Sequence, residues 1–114
     1  MVSHLRIQEM KEFSADPKVR RKKLFTSEKI VAEFVSYEPG QGAVVHFHPK
    51  QDEIFYVVEG KGIILVGDEE IQVQPSSVVF VPAQVKHGIK TTEDSQLVIM
   101  FVKGPGSTKV AAEA

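Results

Sequence analysis

The sequence predicts an all-β fold, a sandwich or barrel folded as one domain. Three observations carry that expectation. From Ile30 to Val102 the chain is a series of short β-rich runs punctuated by turn residues. No long stretch repeats its apolar residues with a 3.6-residue period, so a helical core is not expected. At 114 residues the chain has the size of a single domain and can bury roughly two-thirds of its unfolded surface.

The elements follow in order. Ser14 to Lys18 reads SADPK, and Pro17 predicts a turn there. Val19 to Phe25 holds a basic cluster, Arg20 to Lys23. It reads as a solvated edge strand whose charges deter edge-to-edge pairing. The runs Ile30–Tyr37, Ala43–His48, Ile54–Val58, Gly62–Val66, Glu70–Gln74, Val78–Val81, Gly88–Thr92 and Gln96–Val102 follow. Pro39-Gly40, Pro49, Gly60, Gly67-Asp68 and Pro75-Ser76 separate them. Gly67-Asp68 predicts a tight hairpin with glycine at a positive φ. Residues 110–114 are expected to form a helical turn or to fray. These signals divide the chain into an N-terminal segment with its edge strand (1–29), a barrel (30–104) and a tail (105–114).

Composition narrows the functions open to the chain. Hydrophobic residues make up 42% and charged residues 25%, the balance of a soluble globular protein. The net charge of -1 gives no global attraction to nucleic acid or an anionic membrane. No apolar run approaches the roughly 20 residues needed to span a bilayer, and residues 1–10 lack the apolar core of a secretory signal. There are no cysteines, which excludes disulfides, thiolate metal sites and cysteine nucleophiles and fits a reducing cytoplasm. Any metal site must therefore draw on carboxylates and the four histidines, His4, His46, His48 and His87.

His46 and His48 stand two apart in a β run, and strand alternation projects both rings to one side. Alone, such a pair is more often two surface polar residues than a ligand pair. Pro49 ends the run because it cannot donate to a ladder. Glu53 opens the next run and can return a carboxylate to the same face. His87, far along the chain, can reach that interior in a closed barrel. Three imidazoles and one carboxylate suit Fe(II), Mn(II), Ni(II), Cu(II) or Zn(II). An octahedral ion on four protein ligands keeps two open positions, whereas a tetrahedral zinc is closed by the same four. The donor set alone leaves catalytic and structural roles both open. His4 receives no role.

The stretch Gly40 to Gly60 resembles the first motif of the cupin superfamily. Five residues separate Gly40 from His46-Phe47-His48, four more lead to Glu53, and six more to Gly60, matching every position. Pro82 and His87 stand at the separation found in the second motif. There, Ser76, Gln84 and Thr91 replace two glycines and an asparagine. Gln84 is thus expected to adopt another turn type or a left-handed conformation at some cost. The short stretch Lys61 to Pro75 resembles that of compact prokaryotic single-domain cupins. The resemblance spans roughly residues 30 to 102. It implies that His46, His48, Glu53 and His87 hold one divalent transition metal per chain, with Fe or Mn favoured and Ni, Cu or Zn as alternatives. It also implies a double-stranded β-helix, a jelly-roll-like barrel of two antiparallel sheets. A homodimer is implied too, with the N-terminal segment a candidate for pairing or swapping across it.

By strand parity the pocket should be lined by Val44, Phe55, Val57, Ile89, Ile99 and Phe101, with no Arg or Lys facing inward. An apolar pocket around an open redox metal favours a small, partly apolar substrate and a dioxygenase-like oxidoreductase. Glu53 is its candidate catalytic residue, a general base moving off the metal. A non-catalytic metal or ligand sensor is one alternative, and a metal-assisted carbohydrate isomerase or lyase is another; fold alone does not choose among them. The expected partners are a small-molecule ligand and a second copy, not nucleic acid or membrane.

Overall fold

Alternating apolar residues broken by Pro and Gly turns become nine strands in a computed structural model that describes residues 4–13 and 20–106. They are β1 (Arg20–Thr26), β2 (Val31–Tyr37), β3 (Gly42–His46), β4 (Asp52–Gly60), β5 (Gly62–Val66), β6 (Glu69–Val73), β7 (Val78–Val81), β8 (His87–Thr91) and β9 (Leu97–Gly104). The turn expected at 14–18 and the helical turn at 110–114 lie outside the described residues. Among the described residues the helical content is one 3-10 turn, Ile7–Glu9, and no helix is long and apolar enough to cross a membrane.

Two antiparallel sheets form the double-stranded β-helix. One has the order β1-β2-β9-β4-β7 and the other β3-β8-β5-β6. The basic β1 forms the outer edge of the larger sheet and pairs with β2 of its own chain, as expected of a charged edge strand. Lys11 and Lys22 tie the N-terminal segment back through ion pairs to Glu59 and Glu12, at 2.6 and 3.1 Å. The core lies between the sheets. Phe55, Val57, Ile64, Leu97 and Ile99 are buried there with Val35 and Val81. Burying each such side chain contributes roughly 1.5–3 kcal/mol.

The turns carry the predicted backbone chemistry. Gly67 joins β5 to β6 with φ 58°. Ser76 and Gln84, standing where the second motif has glycines, adopt φ 76° and 72°. Each is the third residue of a turn whose fourth amide donates back to the first carbonyl: Ser77 to Gln74 at 2.9 Å and Val85 to Pro82 at 3.3 Å. That pattern is a type II turn, whose third position favours glycine. The left-handed form costs a non-glycine residue roughly 1–2 kcal/mol, partly offset by the chain entropy that glycine would lose on folding. Gln84→Gly and Ser76→Gly should therefore each stabilise the fold by about 0.5–1 kcal/mol. Thermal denaturation checks this, and a lowered midpoint in both variants contradicts it.

Candidate metal centre

The three candidate histidines arrive from two strands and a loop. β3 pairs with β8 so that His46 and His87 are direct cross-strand partners. β3 ends at His46, so His48 lies in the loop beyond it rather than on the expected strand. The loop still turns its ring inward. Ring centroids are 5.1 Å apart for His46 and His48, 4.5 Å for His46 and His87, and 5.2 Å for His48 and His87. One ring nitrogen of each histidine lies within 4.8 Å of those of the other two. Glu53, near the start of β4, brings Oε1 to 3.4 Å from His48 Nε2 and 3.2 Å from His87 Nε2. His4 is exposed and stands outside the cluster.

Backbone contacts orient two of the rings. His46 Nδ1 donates to the Val44 carbonyl at 2.7 Å, and His87 Nδ1 donates to the Val85 carbonyl at 3.0 Å. With the proton on Nδ1, each Nε2 keeps its lone pair for an ion, which is how a second contact prepares a ligating imidazole. The loops are also tied together. Gln84, through its left-handed turn, donates its amide to the His48 carbonyl at 2.8 Å, and the Ala83 amide donates to Asp52 Oδ1 at 2.8 Å. Thr91 accepts the Gly40 amide at 2.8 Å and donates to the Gln41 carbonyl at 2.6 Å, pinning the turn before β3.

The residues fit a cation. Glu53 Oε1 and His87 Nε2 are buried and have no hydrogen-bond partner. Their 3.2 Å approach is therefore an electrostatic contact without hydrogen-bond geometry. Orphaned buried polar atoms are costly unless something pairs with them, and a divalent ion would satisfy both at once. Burial pushes the His87 imidazole down, but the Glu53 carboxylate and the Val85 carbonyl outweigh it and raise it above the usual range. His48 is lowered, first by burial, with Glu53 opposing and Lys103 and the other two imidazoles adding to the fall.

A cavity of about 60 Å³ opens on this cluster. Of the residues expected to line it, Phe55, Ile89 and Phe101 do so. Val57 and Ile99 are cross-strand partners buried in the core but are not among its lining residues. Val44 corrects the parity argument: it is 83% exposed. The pairing of β3 with β8 is irregular between Ala43 and His46, which resets the alternation. Ala43 lines the cavity in its place, and Val44 serves the site through its carbonyl.

The expectation of no inward cation is also overturned. Arg21 and Lys103 both line the cavity, as does Tyr37. The parity of Ile99 and Phe101 on β9 could have revealed Lys103, the next residue on that face. Arg21 sits in a cluster with no clear alternation, so no local signal marked it. Burial pushes the Tyr37 phenol up to about 12, with Arg21 lowering it in part and Glu53 adding to the rise; it stays neutral at physiological pH and can donate a hydrogen bond. A larger groove of about 470 Å³, lined by Lys61, Gln72 and Thr92 among others, includes none of these residues.

Residues 33–103, most of the chain and all four candidate ligands, match the cupin domain family. This chain belongs to the cupin family. The solved structure of TT1209 from Thermus thermophilus superposes on this cupin with a TM-score of 0.86 at 26% identity, covering 91% of this chain and 98% of that one. A Klebsiella pneumoniae protein with a double-stranded β-helix domain superposes at 0.84 with 17% identity, covering 93% and 92%. An uncharacterised Streptomyces coelicolor protein is 44% identical over 52 residues, 45% of this cupin and 50% of the relative. The chain spans about half the length of the curated relatives it matches.

Proposed function

We propose that this cupin is a metal-dependent enzyme acting on a small molecule, holding one divalent transition metal on His46, His48, Glu53 and His87. The observation that carries this reading is the convergence of three imidazoles beside a cavity, two of them, His48 and His87, within 3.4 Å of a buried, unpaired Glu53 oxygen. When bound, Fe or Mn would supply Lewis acidity and redox chemistry; the dioxygenase-like oxidoreductase is our first reading. The chain's own residues do the rest. Phe55 and Phe101, with ring centroids 5.9 Å apart, offer an aromatic wall. Tyr37 offers a neutral donor, and Glu53 is the candidate base. Oxygen uptake by Fe(II)-loaded protein with catechol, flavonol and diketone substrates tests it. Uptake no greater than that of His46→Ala/His48→Ala rejects the oxidoreductase reading.

Arg21 and Lys103 favour a second reading, a metal-assisted isomerase or lyase on a carbohydrate acid, because such a substrate needs a cationic partner. Product formation without oxygen consumption separates it from the first. A non-catalytic sensor is the reading left if ligands stabilise the protein without turnover.

The proposed partner is a second copy in the cytoplasm. On the outward face of β4 and β7, Ile54 pairs with Phe80 and Tyr56 with Val78, and all four are exposed. Contiguous apolar surface of this kind marks interaction sites. Light scattering is expected to report twice the 12.7 kDa chain mass; a monomer at micromolar concentration contradicts it.

A further inference from the structure

We propose that the pocket takes a small carboxylate-bearing ligand and holds its anionic group with Arg21 and Lys103. The inference deepens the small-molecule reading above and rests on it for the pocket being the functional site. The two cations come from β1 and β9, far apart in sequence, yet they stand over the same ring. Arg21 Cζ is 5.3 Å and Lys103 Nζ 5.7 Å from the Phe101 centroid. Both cations thus reach the aromatic lining of a cavity whose one carboxylate is Glu53.

Neither cation is firmly engaged within the chain. The Arg21 contact to Glu33 is 4.0 Å, the outer limit of an ion pair, and the Arg21 side chain is 47% exposed. Among the described residues Lys103 makes no ion pair; it approaches the Phe101 ring and acts electrostatically on the nearby imidazoles. Charge is also locally reversed. The cavity-lining side chains carry two positive charges, Arg21 and Lys103, against one negative, Glu53. The whole chain carries -1. A divalent ion would raise the positive excess further. The Arg21 guanidinium can present its fork to both oxygens of a carboxylate. The Phe101 and Phe55 rings beside it suit the apolar body of an organic acid better than they suit a bare inorganic anion.

Calorimetric titration with benzoate and its neutral near-isostere benzamide tests the proposal, on metal-free and on Mn(II)-loaded protein. A charge-assisted contact is worth roughly 1.5–3 kcal/mol, so benzoate is expected to bind at least about tenfold more tightly than benzamide. That preference should fall below about threefold in Arg21→Gln/Lys103→Gln, with each single variant intermediate. Circular dichroism and Mn(II) stoichiometry monitor folding in the variants, and the single variants carry the test if the double variant does not fold. Equal binding of benzoate and benzamide by the wild type overturns the proposal. So does a preference that survives both substitutions, or inorganic phosphate binding more tightly than benzoate. A benzoate preference in metal-free protein that binds no Mn(II) sustains the anion site while sinking the metal reading. Mn(II) binding without the preference does the reverse.

Discussion

If the proposed metal site is right, His87→Ala is expected to abolish stoichiometric metal binding and the thermal stabilisation that a bound metal would give this cupin. His87 is 2% exposed, pairs with His46 across the strands and faces Glu53 at 3.2 Å. Loss of a group that only orients a ligand typically costs about 10–100-fold in metal affinity, so loss of a ligand itself should exceed that range. A ligand present at about 1,000 times its Kd stabilises the native state by about 4.1 kcal/mol, and this increment should vanish in the variant. Elemental analysis and melting curves with and without Mn(II) check it; full metal occupancy in His87→Ala rejects the constellation. The pH dependence has a definite sign. In metal-free protein His87 titrates above the usual imidazole value of 6.5, the result of burial being outweighed by Glu53 and Val85. A raised folded-state value means its contribution to stability is fully present below about 6.5 and is lost as pH rises through the raised value. Metal binding runs the other way, because protons compete for the same nitrogens. The Mn(II)-induced rise in melting temperature should therefore be largest at alkaline pH and shrink on acidification.

Gly60→Ala is expected to be a severely damaging single-methyl change, because it combines a left-handed backbone with a backbone clash. Gly60 closes β4 with φ 85°, and a Cβ there would lie 1.8 Å from the Gln96 carbonyl oxygen. The left-handed conformation alone costs alanine roughly 1–2 kcal/mol. Relieving the clash also means moving backbone where Gly60 pairs with Leu97 at the end of β9. We expect a loss of at least about 3 kcal/mol, a large share of the roughly 5–15 kcal/mol total of a typical domain. Denaturant unfolding checks this, and a loss below about 1 kcal/mol contradicts the backbone argument. Gly67→Ala, at φ 58° with open space around its Cβ position, serves as the milder comparison because only the conformational cost applies.

How legible this molecule was in its sequence depended on the range of the physics involved. Period-two alternation and Pro/Gly turns placed most strand ends within one or two residues of where they lie, because both signals are local. The left-handed backbone of Gln84 was foreseeable from a motif position where glycine was missing. The spacing of His46, His48, Glu53 and His87 likewise marked a candidate ligand set before any fold was known. Parity failed at Val44, where one irregularity in the pairing of β3 with β8 reversed the face. Alternation predicts a face only while register is unbroken.

The sequence by itself therefore determined the fold class, the strands and a candidate ligand set. Only the tertiary structure decided what surrounds them. Arg21, Tyr37 and Lys103 come from β1, β2 and β9; alternation on β9 points Lys103 inward, but nothing in the chain says that the three meet. Closing the larger sheet over the smaller one brings them to the cavity, because cross-strand register and sheet curvature, not local sequence, set which inward faces converge. That closure turned a pocket expected to be apolar into one with two cations at an aromatic ring.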